Sequence, residues 1–217
     1  MAKSRPQVIL SAAMSIDGKI ATRTHHSKLS STKDLARVHR LRKNVDAILI
    51  GKKTVFTDNP ILTVRYVKGK NPIRIILDPQ ANIPLTSRIV RTAKKICTMI
   101  IVSQKAPKKN IEKLEEKGAN VIICGQNRIE LKKLLQILRK RGINKILLEG
   151  GGTTNWFFLK ERLVDEIIIT ITPFVLGGKD AISLVEGLGF DKISKSRLFR
   201  LKEINRIKNE VILHYVS

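Results

Sequence analysis

The chain has 217 residues, 42% of them apolar and 4% aromatic, and a formal charge of +24. That length and apolar share exclude a disordered segment and favour one large domain, residues 1–217, over two small ones, with room for a substantial core. No apolar run approaches the roughly 20 residues needed to cross a bilayer, and Val8-Ile9-Leu10, behind Met1-Ala2-Lys3-Ser4-Arg5-Pro6, is too short for a signal-peptide core, so a cytoplasmic location is expected.

Gln7 to Ala13 reads as a strand, and Met14 to Ser31 as a loop rich in Gly, Thr, Ser and His. Thr32, a candidate N-cap, opens a helix through Lys43, with Leu35, Val38, His39, Leu41 and Arg42 near helical spacing. Ala47 to Ile50 is a short buried strand ending at Gly51, and Lys52 to Phe56 a short helix. Pro72 to Leu77 is a strand stopped by Asp78-Pro79. Cys97 to Val102 is a strand, Asn110 to Lys117 a helix halted at Gly118, and Asn120 to Ile123 a strand. Ile129 to Arg141 forms a helix with Gly142 as its C-cap. Lys145 opens another strand, Trp156 to Arg162 is helical, and Glu166 to Ile171 is strand-like. Leu198 to Ile204 and Val211 to Val216, separated by a polar turn, suggest a closing antiparallel hairpin. This alternation predicts an α/β domain with a mainly parallel central sheet flanked by helices. Ligands of such sheets bind at the carboxyl ends of the strands.

The basic residues cluster at Arg37 to Lys43, Lys94-Lys95, Lys105 to Lys109 and Arg139-Lys140-Arg141, scattered over many elements. Few aromatics accompany them, whereas single-strand binders offer stacking rings beside the charge. A solvated lysine-rich surface is therefore preferred to a nucleic-acid interface, with part of the charge drawing in small anions. Cys97 and Cys124 each sit in an apparent buried strand, far apart and without metal-ligand spacing, so reduced core thiols and no metal site are expected.

The most informative stretch is Lys145-Ile146-Leu147-Leu148-Glu149-Gly150-Gly151-Gly152-Thr153-Thr154-Asn155-Trp156. An apolar strand ends in a carboxylate and three glycines, and a helix starts near Thr153. Glycine lets backbone lie against a ligand, and the free N–H groups of a helix's first turn attract phosphate. The pattern is neither the spaced dinucleotide fingerprint nor a P-loop. The plain alternative is a tight turn that binds nothing. A second block, Thr54 to Arg65, places Thr54 and Asp58 four apart on one helix face, where they either contact a ligand or cap the helix before a turn at Asp58-Asn59-Pro60. In a third, Met14-Ser15-Ile16-Asp17-Gly18-Lys19, Asp17-Gly18 is a turn signal.

Together with Val38-His39-Arg40-Leu41-Arg42, Asp46 to Gly51, Pro72-Ile73-Arg74-Ile75, Leu163 to Glu166 and Pro173 to Gly178, these blocks resemble, in order and spacing over nearly the whole chain, the pyrimidine reductases of riboflavin biosynthesis. The resemblance implies a dihydrofolate-reductase-like fold and reduction of 2,5-diamino-6-ribosylamino-4(3H)-pyrimidinone 5′-phosphate to its ribitylamino counterpart. It implies NADPH as cofactor, with NADH left open, and a homodimer to which the Glu166 to Phe174 segment contributes. It puts Thr54, Asp58, Gly150, Gly151, Gly152, Thr153, Thr154 and Asn155 against the dinucleotide. Ser27, Arg42, Leu62 and Arg65 line the substrate pocket, and Glu149 stands at the junction of the two ligands as first candidate to meet the reacting amine or sugar, with Asp17 second. An arginine fork binds phosphate bidentately, which suits Arg42 and Arg65 to a 5′-phosphate. Bacterial relatives often carry a zinc deaminase domain with His-x-Glu and Cys-x-x-Cys signatures. Neither occurs here, which points to the standalone archaeal or fungal type. Lys52-Lys53 departs from the smaller residues common at that turn. The alternatives are a dihydrofolate-reductase-like enzyme acting on a pterin and a basic nucleic-acid-binding module.

Overall fold

The computed structural model describes residues 4–217, so the reading of the first three residues lies outside the described part. In chain order it contains β1 (Gln7–Met14), β2 (Lys19–Ala21), α1 (Thr32–Lys43), β3 (Ala47–Gly51), α2 (Lys52–Asp58), β4 (Ile73–Leu77), α3 (Arg88–Arg91), β5 (Thr98–Val102), α4 (Lys108–Glu116), β6 (Asn120–Ile123), α5 (Leu131–Lys140), β7 (Lys145–Gly150), α6 (Gly152–Lys160), β8 (Glu166–Ile171), β9 (Ile182–Ser183), β10 (Arg200–Ile207) and β11 (Glu210–Val216).

Nine strands form one sheet in the order β10-β11-β8-β1-β7-β3-β4-β5-β6. The seven from β8 to β6 run parallel, and β11 and β10 close the other edge as the expected antiparallel hairpin. The apolar runs of β3 and β7, and that of β4 beyond Arg74, are continuous because both faces are covered, as parallel strands require. On one face Leu49, Ile146 and Leu148 pack with Leu134 and Leu138 of α5 and Phe158 of α6. On the other, Ile48, Ile50 and Leu147 pack with Val55 of α2, Ile89 of α3 and Leu114 of α4. Period-two alternation along each strand sorts its residues between these two cores.

Several sequence expectations shift. The N-cap of α1 is Ser31, whose Oγ accepts the Asp34 N–H at 3.2 Å, so Thr32 is the first helical residue. The helix after β7 begins at Gly152, one residue before the Thr153 start read from the glycine stretch and ahead of the Trp156 to Arg162 segment, since Gly and Thr, being weak helix formers, give little signal in its first turn. The 14–31 loop contains β2, which pairs with β9 in a separate two-stranded ribbon. Cys124 is buried, but Cys97 is exposed and precedes β5, so only one of the two thiols is a core residue.

Arg74 of β4 is fully buried, a role its sequence position does not suggest. Its Nε and Nη2 donate to Thr98 Oγ1 at 3.0 and 2.6 Å, and its Nη1 to Thr92 Oγ1 at 2.8 Å and to the Ile61 carbonyl at 3.2 Å. Nη2 also reaches the carbonyls of Ile89 and Ile96, both at 3.1 Å. Burial lowers its pKa to about 10. A buried cation needs every donor satisfied, and meeting that demand pins β4, β5, α3 and the turn before Leu62 together.

Candidate active site

The site is built where β1, β3 and β7 end, beside the residues that come after α2. Pairing of β3 with β7 shifts register between Leu49/Leu148 and Ile50/Gly150, leaving Glu149 as an extra residue on β7. Such irregularities re-aim a side chain. Here Glu149 meets Arg42 of α1 in a two-pronged ion pair, with Arg42 Nε and Nη2 donating to the two carboxylate oxygens at 2.7 Å each. Each side chain keeps 13% exposure, so the pair sits at the rim of the interior. Burial works against the Arg42 charge, but the Glu149 carboxylate outweighs it and raises the Arg42 pKa. Arg42 Nη1 donates further to the Thr63 carbonyl at 3.1 Å. The glycine-turn amides therefore do not hold Glu149; a guanidinium 107 residues earlier does.

Around this pair lie His39, Thr63, Arg65 and Tyr66. Arg65 is exposed, and its Nη1 donates to Thr63 Oγ1 at 3.0 Å. Its pKa is lowered by burial of the group and by the neighbouring Arg42 charge. Leu62, buried at 2% exposure with φ 55°, joins the core beside Val55. The turn at Asp58-Asn59-Pro60 forms as expected: Asn59 is left-handed at φ 41° and caps α2 through its N–H to the Val55 carbonyl. Asp58 sits on the exposed end of α2, its carboxyl pKa raised by burial against the opposing influence of the Thr57 hydroxyl, the His25 charge and the Ser27 hydroxyl. That places Ser27 beside Asp58, joining the 22–28 loop to α2.

The glycine cradle divides into packing and open positions. A Cβ on Gly51 would collide with the Thr154 side chain, and one on Gly150 would stand 2.7 Å from the Asn155 amide, so these glycines let β3, β7 and α6 close together. Gly151 differs: with φ 42° and ψ 155° it is the N-cap of α6, and a Cβ there would meet only Thr54 Oγ1, at 3.3 Å. Asn155 is the first residue of α6 whose N–H bonds back, to the Gly151 carbonyl at 3.0 Å, which leaves the N–H groups of Gly152, Thr153 and Thr154 without helical acceptors. Thr54 Oγ1 points to the Gly150 carbonyl at 3.4 Å, closing the cradle from the α2 side. Thr153 Oγ1 instead reaches Glu186 at 3.3 Å. Asn155 is buried beneath the turn, its Nδ2 donating to the Leu184 carbonyl at 2.8 Å and its Oδ1 left unpartnered. These open amides and the Gly151 edge fit the phosphates of a dinucleotide. Lys52, one of the two lysines that depart from smaller residues at this turn, reaches toward Asn82 at 3.1 Å and Asp78 at 3.7 Å.

Asp17 has a different place. Its carboxylate accepts from Ser15 Oγ at 2.6 Å and from the N–H groups of Leu176 and Gly177 at 3.0 and 2.7 Å. These bonds, the Ser15 hydroxyl first, lower its pKa to about 2. It is a clamp joining the turn after β1 to the loop after β8, and a carboxyl this acidic does not deliver protons near neutrality. Two apolar hollows lie elsewhere: one of about 320 Å³ beside Trp156 and Phe190, and one of about 340 Å³ on β8 and β11.

The fold defines a dihydrofolate-reductase-like α/β protein, with a glycine turn and the Arg42–Glu149 pair side by side at the end of β7. Residues 6–213 match the family described as the RibD C-terminal domain, and the chain belongs to it. A Methanothermobacter thermautotrophicus protein named 2,5-diamino-6-ribosylamino-4(3H)-pyrimidinone 5′-phosphate reductase is 41% identical over 214 residues, 97% of this chain and 98% of its own length. An Aquifex aeolicus protein of the same name is 41% identical over 203 residues, 91% of this chain and 90% of its own. Among solved structures, Acinetobacter baumannii RibD superposes with a TM-score of 0.85 at 27% identity. This chain covers 58% of that longer protein, while 99% of this chain is matched.

The Asp17 clamp has a pH signature. Its folded pKa lies below the ordinary 3.8, so its contribution to stability is present above about 3.8 and is lost as pH falls toward about 2. Hydrogen exchange should show the Leu176 and Gly177 amides protected at neutral pH and released in Asp17→Ala; unchanged protection removes the clamp.

Proposed function

We infer that this chain reduces the ribosylamino side chain of 2,5-diamino-6-ribosylamino-4(3H)-pyrimidinone 5′-phosphate to the ribitylamino compound in riboflavin biosynthesis, with NADPH as reductant. The observation that carries this reading is the end-to-end identity with the Methanothermobacter reductase. The geometry supports it, because an open phosphate cradle and a cationic cluster with one carboxylate meet at adjacent residues of a single strand end. No feature of the site favours a pterin or a nucleic acid.

In this reading Thr54, Asp58 and the turn from Gly150 to Asn155 hold the dinucleotide. Gly151 and the first-turn amides of α6 face its phosphates, and Asn155 supports the turn from below. Ser27, Arg42, Leu62, Arg65 and Glu149 border the pyrimidine. Arg65, with its guanidinium at the surface, takes the 5′-phosphate. Arg42 spends most of its donors on Glu149 and Thr63, so its main task is to aim Glu149. When bound, the nicotinamide supplies a hydride to C1′ of the opened ribosylamine. Both Glu149 oxygens accept from Arg42, so Glu149 serves the reaction as a carboxylate, accepting from the substrate amine and stabilising positive charge as the sugar ring opens. Leu62 and Val55 keep water from the inner wall.

Anaerobic loss of the NADPH absorbance band, with the diamino and deaminated pyrimidine phosphates offered separately, tests the activity. Loss with the diamino compound, faster with NADPH than with NADH, is expected, and no loss with either compound would sink the reading. Glu149→Gln keeps shape and an acceptor but removes charge, and kcat/KM should fall about 100-fold. Near-normal turnover would remove Glu149 from the chemistry.

The same reading makes the enzyme a cytoplasmic homodimer. Ile167 and Ile169 of the Glu166 to Phe174 segment line the apolar hollow on β8 and β11 with Phe199, Leu213 and Tyr215, a surface suited to burial. Light scattering on protein from the soluble cell fraction should return twice the chain mass. A monomer, or recovery only with membranes, overturns this assignment.

A further inference from the structure

His39 lies in the middle of the arginine cluster, buried at 2% exposure and outside the set of residues assigned to either ligand. Its Nδ1 accepts the backbone N–H of Arg65 at 2.8 Å. An imidazole nitrogen that accepts carries no hydrogen, so the neutral ring bears its proton on Nε2. Nε2 lies 3.5 Å from Arg42 Nη1. Two donors facing each other form no bond, so the ring leaves Arg42 to the Thr63 carbonyl and to Glu149. The ring edge rests against Tyr66, with centroids 4.8 Å apart and planes at 65°. Burial first, then the charges of Arg42 and Arg65, lower the His39 pKa to about 4 against the opposing charge of Glu149. The ring is therefore uncharged at neutral pH. A cation at this position would add a third positive charge and cancel the acceptor that Arg65 uses.

We propose that His39 is a positioning residue for the substrate's phosphate, fixing the main chain of Arg65 through Nδ1 so that the Arg65 guanidinium is presented to the anion. This rests on the reading of Arg65 as the phosphate fork. Among the described residues the bond ties α1 to the backbone at Arg65 itself, and the Arg42 bond to the Thr63 carbonyl at 3.1 Å ties it two residues earlier. Among the described residues the Arg65 guanidinium is held by Thr63 Oγ1, two residues away on the same segment. Without the Nδ1 acceptor, the Arg65 N–H is left unpaired against α1, and the segment keeps only its tie at Thr63, so the fork is less firmly placed relative to Arg42 and Glu149. The ring acts through another residue and touches neither substrate nor cofactor.

Three variants separate positioning from filling. In His39→Asn the side-chain Oδ1 stands where Nδ1 stands and can accept from the same N–H. His39→Gln places its amide near Nε2 and leaves Arg65 unmatched. His39→Leu fills the space without an acceptor. Steady-state kinetics should show the pyrimidine KM raised about 10-fold in the Leu and Gln variants, the effect of one lost hydrogen bond, with kcat and the NADPH KM within about two-fold of wild type. The Asn variant should recover most of the lost affinity. A Leu variant with wild-type KM overturns the proposal, as does an Asn variant no better than Leu. So does a loss spread equally over kcat and both KM values in step with a lowered melting temperature. Calorimetric titration with inorganic phosphate gives the same ranking without turnover: wild type and Asn bind more tightly than Gln and Leu. If wild type binds phosphate in that order yet oxidises no NADPH, the functional reading fails and the positioning role stands; equal phosphate affinity in all four overturns the positioning role.

Discussion

Glu149 and Arg42 bring a strand end and a helix into one geometry. The carboxylate projects from an extra residue in β7, and the guanidinium reaches it from α1 with two bonds of 2.7 Å. Both groups are largely withdrawn from water, so neither tolerates loss of the other: an uncompensated charge at such a site costs about 3–5 kcal/mol. The pair therefore sets how α1 lies on the sheet. It also sets the position of the glycine turn, since Gly150 and Gly151 come directly after Glu149. Ion-pair geometry and anion cradle cannot move independently, because a single backbone turn carries both.

The positive charge of the chain acquires a local meaning from this arrangement. Its lysines are spread over helices, loops and strand ends, and single pairs on exposed helix faces, such as Lys108 with Glu112 at 3.9 Å, contribute little. Arg42 and Arg65 differ because both meet the neutral His39 ring, Arg42 Nη1 lying 3.5 Å from Nε2 and the Arg65 N–H donating to Nδ1 at 2.8 Å. Arg74 is a third kind of cation, its charge spread over hydroxyls and carbonyls inside the protein and its role purely architectural. Arginine serves all three places because its planar fork reaches several acceptors at once.

The sheet was legible from the sequence wherever both faces of a strand are covered, because β3, β5 and β7 then carry apolar runs, and β4 does so apart from Arg74. Boundaries slipped where neighbouring residues offer equivalent chemistry: Ser31 and Thr32 can both cap a helix. The β2 and β9 ribbon left no trace, since strands of three and two residues carry no period. The blocks that hold the candidate site were visible as blocks, yet their internal partnerships were not. Glu149 finds Arg42 across 107 residues, and Asp17, which reads locally as a turn residue, accepts from amides about 160 residues away. Arg74 draws acceptors from residues 61 to 98, and no spacing rule anticipates that set.

The strand order carries a consequence for how the chain assembles as it is made. β3, β4, β5 and β6 are consecutive in sequence and adjacent in the sheet, so they can pair as soon as each is synthesised. β1 is different: its neighbours are β7 and β8, and their registered partners begin at Lys145 and Glu166. β1 must therefore wait until β7 has been made, 138 residues on from Gln7 to Lys145, before it has any place in the sheet. Contacts of such long sequence separation are slow to close. Val8, Ile9 and Leu10 spend that interval as an exposed apolar segment, and the lysines and arginines around them supply the charge that discourages premature association.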